Sequence, residues 1–198
     1  MLDYSIESHL DLQRGSCRGS IEVICGSMFS GKTEELMRRI RRALIARLRV
    51  EVFKPDVDTR YSQDDIVSHD QNAFSCTAVD HSLNILLLAT DANVIGIDEA
   101  QFFDPGIVEV CQKLADDGKR IIISGLDMDY QRRPFSPMPE LIAIADSVTK
   151  VHAVCVDCGA CANYSYRLAD EKARVLLGAK GEYAPLCRKC YLRRIQPH

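Results

Sequence analysis

Gly26-Ser27-Met28-Phe29-Ser30-Gly31-Lys32-Thr33 is the stretch that decides the fold. The apolar run Ile21-Glu22-Val23-Ile24-Cys25 precedes it and reads as a short buried strand. After it, Leu36, Ile40, Leu44 and Leu48 repeat at the spacing of one helical face. A glycine-rich loop between a strand and a helix N-terminus aims backbone N–H groups into one concavity, where the helix dipole adds positive character. Gly26 and Gly31 allow backbone angles and close approach that a Cβ resists. Lys32 can reach the terminal phosphates of a nucleotide, and the Thr33 hydroxyl can ligate Mg²⁺. An ordinary Gly-rich turn with a solvated lysine would explain the glycines but not the Lys-Thr pair at this offset.

Outward from the loop, strands and helices alternate. Arg49–Lys54 reads as a second strand ending at Pro55, Asn93–Ile97 as a third and Arg120–Ser124 as a fourth. Ile107, Cys111 and Leu114 form one helical stripe between the last two. A further helix is expected near Pro139–Ala145, and a strand over Ser147–Val154. Near-continuous apolar strands separated by amphipathic helices predict an α/β fold, a parallel sheet covered by helices on both faces. Ligands on such sheets bind at the strand C-terminal ends, where both the Gly26 loop and Asp98 lie. The polar, aperiodic segment Asp56–Asp80 reads as a loop over that site.

The expected organisation is an N-terminal arm over 1–18, a nucleotide-binding domain over 19–150 and a small zinc-binding unit over 151–198. With 198 residues, 46% hydrophobic and 27% charged, the chain has ordinary globular composition. Its formal net charge of −3 argues against a protein whose main task is gripping a nucleic-acid backbone. The cluster Arg38, Arg39, Arg41 and Arg42 reads as a solvated helix face. No apolar run is long enough to span a bilayer and the N-terminal residues carry no secretory pattern, so a cytoplasmic location is expected. Nine cysteines there are not a disulfide framework.

Val94-Ile95-Gly96-Ile97-Asp98-Glu99 is an apolar strand ending in an acid pair. In phosphate-loop enzymes an Asp at that place holds Mg²⁺, which leaves Glu99 free to take a proton from the group attacking the γ-phosphate. Acids also follow strands simply because turns are polar; the loop at Gly26 favours the functional reading. Cys155-Val156-Asp157-Cys158 and Cys187-Arg188-Lys189-Cys190 are C-x-x-C knuckles, suited to a closed structural Zn²⁺ site. A redox dithiol would leave the second knuckle unexplained. Cys161 matches neither spacing, and Cys17, Cys25, Cys76 and Cys111 read as core or loop thiols.

From Gly19 to Tyr191 the chain resembles the zinc-containing, type II thymidine kinases. The likeness rests on the phosphate loop followed by Glu35-Leu36-Met37-Arg38-Arg39, on Asp58-Thr59-Arg60-Tyr61 and on Ser68-His69-Asp70. It continues through Ile97-Asp98-Glu99-Ala100-Gln101-Phe102-Phe103, Gly125-Leu126-Asp127, Pro134-Phe135 and the two knuckles. The resemblance implies ATP-dependent phosphorylation of thymidine at its 5′-hydroxyl, with Glu99 as the base. Gly26, Ser27, Met28, Phe29, Ser30, Gly31, Lys32 and Thr33 would hold ATP and Mg²⁺, together with Asp58, Thr59, Arg60, Asp98 and Gln101. Met28, Leu126, Tyr130, Phe135 and Tyr183 would wall the thymidine. Arg174, Val175, Leu176, Leu177 and Gly178 would belong to a lasso that meets thymine mainly through backbone groups. A homotetramer and feedback inhibition by thymidine triphosphate (dTTP) are further implications. Tyr130 stands where the family often has Phe, adding a hydroxyl that needs a partner if buried. An ATPase whose zinc unit binds nucleic acid and a non-catalytic nucleotide-binding regulator are the competing readings. The first needs a more basic zinc unit, and Glu99 argues against the second.

Overall fold

A computed structural model of the chain describes residues 19–56, 76–168 and 182–196. Its centre is a parallel sheet in the order β3-β2-β4-β5-β1-β6. The strands are β1 (Ser20–Gly26), β2 (Val50–Pro55), β3 (Thr77–Val79), β4 (Val94–Ile97), β5 (Arg120–Leu126) and β6 (Ser147–Lys150). Both faces are apolar because both are covered. Ile24, Val52, Val94 and Ile122 pack with Leu36, Ile40 and Ala43 of α1 (Lys32–Ile45) on one side. Ile21, Val23, Ile95, Ile97, Ile121 and Ile123 meet the other helices opposite. Those are α2 (Leu83–Leu88), α3 (Ile107–Asp116) and α4 (Met138–Ile144). Each fully buried Ile or Leu contributes roughly 1.5–3 kcal/mol by leaving water, so the central strands anchor the site above them.

The helical face expected from Leu36, Ile40, Leu44 and Leu48 drifts. Steps of four advance a helix by about 40° past a full turn. By Leu44 the side chain has left the core, at 41% exposure, and Leu48 lies beyond the helix end. Met37 and Ala43 complete the buried stripe instead. On that face Glu22 of β1 joins Arg39 of α1 (2.7 Å) to Arg120 of β5 (2.6 Å). Burial pushes the Glu22 carboxyl up, but hydrogen bonds and charge from Arg120 and Arg39 outweigh it and hold it below its ordinary range.

Two expectations are revised. The segment read as loop from Asp56 to Asp80 contains β3, which extends the sheet beside β2. The strand expected over Ser147–Val154 is two pieces. The Val151 amide still donates to Cys25 O at 2.9 Å, after which the chain leaves the sheet. Ala153–Val154 (β7) then pairs antiparallel with Cys161–Ala162 (β8). Tyr164–Arg167 (β9) pairs with Tyr183–Leu186 (β10), and α5 (Arg188–Ile195) follows.

Candidate active site

The phosphate loop leaves β1 at Gly26 under a tight constraint. A Cβ there would lie 2.3 Å from Val151 O and 2.9 Å from Ser30 Oγ, at φ +154°. Gly31, at φ +82°, turns the chain into α1. Inside the loop, Ser30 Oγ donates to Ser27 O at 2.7 Å and Lys32 Nζ donates to the same carbonyl at 2.9 Å. Burial lowers the proton affinity of Lys32, while the Glu99, Asp98 and Asp127 carboxylates work against that loss. Phe29 points outward. The loop is also held from the C-terminal unit. Ser27 Oγ donates to Ala162 O (3.3 Å) and the Met28 amide donates to Ser165 Oγ (3.0 Å). Gly26→Ala is therefore expected to displace the loop from Val151 and to raise the KM for ATP about tenfold or more, the effect of 1–3 kcal/mol of strain. Initial-rate measurements at varied ATP check this.

The acid pair stands at the end of β4, one strand away from β1 in the sheet. Asp98 is buried and fully engaged. Its Oδ2 accepts from Thr33 Oγ1 at 3.1 Å, and its Oδ1 accepts from the Glu99 amide (3.0 Å) and from Ser124 Oγ. A hydroxyl and a carboxylate brought together beside a phosphate loop are hard oxygen donors of the kind that suit Mg²⁺. Glu99 adopts the left-handed region at φ 52°, unusual for a residue with a side chain, and so re-aims its carboxylate out of the strand direction. Glu99 is exposed to solvent, yet the protein groups packed around its carboxyl displace part of its hydration. That burial first, then the neighbouring Asp98 charge, push its carboxyl above the ordinary range, against the pull of Gln101 and Lys32. A carboxylate whose proton affinity is raised in this way is the stronger base once ionised.

Gln101 is buried between elements. Its Nε2 donates to Glu99 Oε2 and its Oε1 accepts from the Leu126 amide at 2.8 Å. It thus orients the acid against the end of β5, a link that the sequence pattern did not disclose. A Cβ on Gly125 would stand 2.9 Å from Gln101 Oε1 and 2.5 Å from Met138 Sδ, so glycine there makes room for this arrangement.

Beyond β5 the chain folds back, with a bridge between Met128 and Pro134. Asp129 Oδ1 accepts from the Gln131 and Arg133 amides, each at 2.9 Å. This turn carries Tyr130 and delivers Phe135, which packs edge-on to Phe102 with ring centroids 5.8 Å apart. The Tyr130 hydroxyl, whose partner was in question, accepts from Gln131 Nε2 at 3.0 Å. Tyr183 on β10 is buried, and its hydroxyl accepts from Arg167. Gly26 of β1 pairs with Leu126 of β5. Asp58, Thr59, Arg60, Arg174, Val175, Leu176, Leu177 and Gly178 lie outside the described residues. Sequence reasoning gave no site role to Phe102, Ser124, Ser165 or Arg167, whose roles come from contacts between distant elements.

The C-x-x-C pairs converge. The sulfurs of Cys155, Cys158, Cys187 and Cys190 all lie within 4.8 Å of one another. Cys158 Sγ and Cys187 Sγ are 3.6 Å apart, close to the about 3.8 Å edge of a tetrahedral zinc–thiolate site. The Cys190 amide also donates to Cys187 Sγ at 3.5 Å, a contact that favours thiolate character. These four residues can hold a metal with no position left open. Cys161 stays outside the cluster, exposed on β8.

A phosphate loop on one strand and an acid pair across the same parallel sheet define a phosphate-loop kinase or nucleotide hydrolase. A family model for thymidine kinase matches residues 19–191. The thymidine kinase of Porphyromonas gingivalis strain W83 is 62% identical over 197 residues, covering 99% of this chain and 95% of that protein. Those of Rhodothermus sp. and Bacteroides thetaiotaomicron are 62% and 58% identical, over 92% and 94% of this chain and 85% and 93% of theirs. Among solved structures, domain III of the Thermotoga maritima replication initiation protein DnaA matches with a TM-score of 0.41 and 18% identity, over 68% of this chain and 55% of that one. The chain belongs to the thymidine kinase family.

Proposed function

We infer that this protein transfers the γ-phosphate of ATP to the 5′-hydroxyl of thymidine, giving thymidine monophosphate, a step of nucleotide salvage that feeds DNA synthesis. The observation that carries this reading is the Glu99 carboxylate, oriented by Gln101 beside the Thr33–Asp98 pair at the phosphate loop. ATP phosphates enter the loop, and Lys32 leaves Ser27 O to meet them. Thr33 and Asp98 would hold Mg²⁺, which would supply positive charge to offset that of the transferring phosphates. Glu99 accepts the proton of the 5′-hydroxyl as its oxygen bonds to the γ-phosphorus and the β,γ-bridging bond breaks. Positioning and charge stabilisation do most of the work, so no covalent enzyme intermediate is required. Arg60, in the matching family position, would meet charge developing on the transferred group.

Leu126, Phe135, Met28, Tyr130 and Tyr183 supply the apolar wall for the base in this reading. By the family resemblance, backbone groups of the lasso would match the two carbonyls and one N–H of thymine. Cytosine presents a different donor pattern, and each mismatched buried hydrogen bond costs about 1–3 kcal/mol. Zn²⁺ at the cysteine cluster is structural, since a four-thiolate site has no open position. The proposal includes a homotetramer, dTTP as feedback inhibitor and a cytoplasmic location. Among the described residues no helix is long and apolar enough to cross a membrane. The test is phosphate transfer from ATP–Mg²⁺ to each of the four common deoxynucleosides. Thymidine monophosphate is expected as the dominant product; ATP consumption with no nucleoside monophosphate would overturn the reading.

A further inference from the structure

Arg167 is a buried cation at a position to which the mechanism above gives no role. It stands on β9 with 8% of its surface exposed. Its guanidinium carbon lies 3.7 Å from the Tyr130 ring centroid and 5.2 Å from that of Tyr183. Nε and Nη2 both donate to the Tyr183 hydroxyl, at 3.1 and 2.6 Å. Those tyrosines belong to separate parts of the fold. Tyr130 is on the turn after β5, and Tyr183 is the residue of β10 paired with Arg167 itself across the β9–β10 ladder. From the far side, Tyr191 on α5 donates its hydroxyl to Tyr130 O at 2.8 Å, which fixes the same turn against the C-terminal unit. On the same β9 strand, Ser165 holds the Met28 amide of the phosphate loop.

Burying a guanidinium is costly, and a methionine of similar reach would fill the space without that cost. What methionine lacks is the flat, charged plane that covers one aromatic face while its edge donates to a second ring's hydroxyl. We propose that Arg167 is a positioning residue for thymidine, setting the separation and tilt of Tyr130 and Tyr183 so that the nucleoside meets a preformed wall. The inference rests on the reading that those aromatics border the base. Arg167 itself touches the tyrosines, so its effect belongs to nucleoside affinity and not to phosphate transfer.

The experiment compares KM for thymidine, KM for ATP and kcat in Arg167→Met, Arg167→Lys, Tyr183→Phe and Phe135→Ala. Arg167→Met is expected to raise KM for thymidine about ten- to a hundredfold, the span of one lost charge-assisted hydrogen bond, with KM for ATP within about twofold. Arg167→Lys keeps the charge but not the plane and should fall between. Tyr183→Phe removes the acceptor while Arg167 stays in place, and carries the test if Arg167→Met does not fold. A severalfold rise in thymidine KM is expected there, and no rise overturns the inference. In the combined Arg167→Met, Tyr183→Phe protein the second change should add little, because both remove one interaction. If Phe135→Ala weakens thymidine while Arg167→Met leaves it unchanged, Arg167 is only a filler and the wall stands. If Phe135→Ala also leaves thymidine unchanged, the wall reading itself fails. A rise in ATP KM equal to that for thymidine would equally overturn the positioning role.

Discussion

Glu99→Gln is expected to lower kcat about a hundred- to ten-thousandfold, the usual worth of a positioned general base, while thymidine and ATP still bind. The amide keeps the size and one acceptor oxygen of the carboxylate, so the contact with Gln101 survives in altered form. What disappears is the proton acceptor. The pH dependence gives a second, independent readout. Glu99 must be deprotonated to act, and its pKa is raised by loss of hydration and by Asp98. Activity should therefore fall with decreasing pH at values above the ordinary glutamate pKa of 4.5. Residual activity of the Gln variant should lack that acid limb. A variant with near-normal kcat, or with the acid limb intact, would remove Glu99 from the base role.

Loss of the metal at the cysteine cluster should have an effect of comparable size, on the fold before the chemistry. Binding of Zn²⁺ by structural sites of this kind is worth roughly 10–16 kcal/mol and is coupled to folding. Cys187→Ser, or exhaustive chelation, is expected to remove the metal and to lower the melting temperature sharply, as elemental analysis and a thermal melt would show. Cys187 also caps α5, a role that the serine hydroxyl can keep, so Cys187→Ser removes the metal ligand and not the cap. The consequence should reach the ATP site. Ala162 and Ser165 sit in the strands that follow the first knuckle, and they hold Ser27 and the Met28 amide. KM for both substrates should rise in any metal-depleted protein that still folds. Metal-free protein with unchanged melting and unchanged KM for ATP would show that the cluster does not support the site.

The parts of this site legible in the sequence are those encoded by short-range order. Gly26 to Thr33 form one loop, Asp98 and Glu99 end one apolar strand, and each C-x-x-C places its thiols within a single turn. In each case the chemistry follows from neighbours along the chain. The main strands were readable for the same reason, since helices on both faces of a parallel sheet demand continuous apolar runs. Weaker local patterns misled. β3, Thr77-Ala78-Val79, is too short to stand out from the polar segment before it, and it is a strand because β2 offers it an open edge. The run Ser147–Val154 reads as one strand, but it divides where the main sheet gives way to β8 as the partner.

Side-chain roles set by distant partners could be decided only in three dimensions. Gln101 orients Glu99 because Leu126 presents its amide from the next strand. Ser165 holds the phosphate loop from 137 positions away. Arg167, Tyr130 and Tyr183 meet only because the turn after β5 packs against the β9–β10 ladder. The sequence by itself determined the phosphate loop, the acid pair and the thiol knuckles, because their geometry follows from local backbone and spacing. Only the tertiary structure decided how these parts are aimed and braced, because that depends on hydrogen bonds and packing between segments with no fixed separation along the chain.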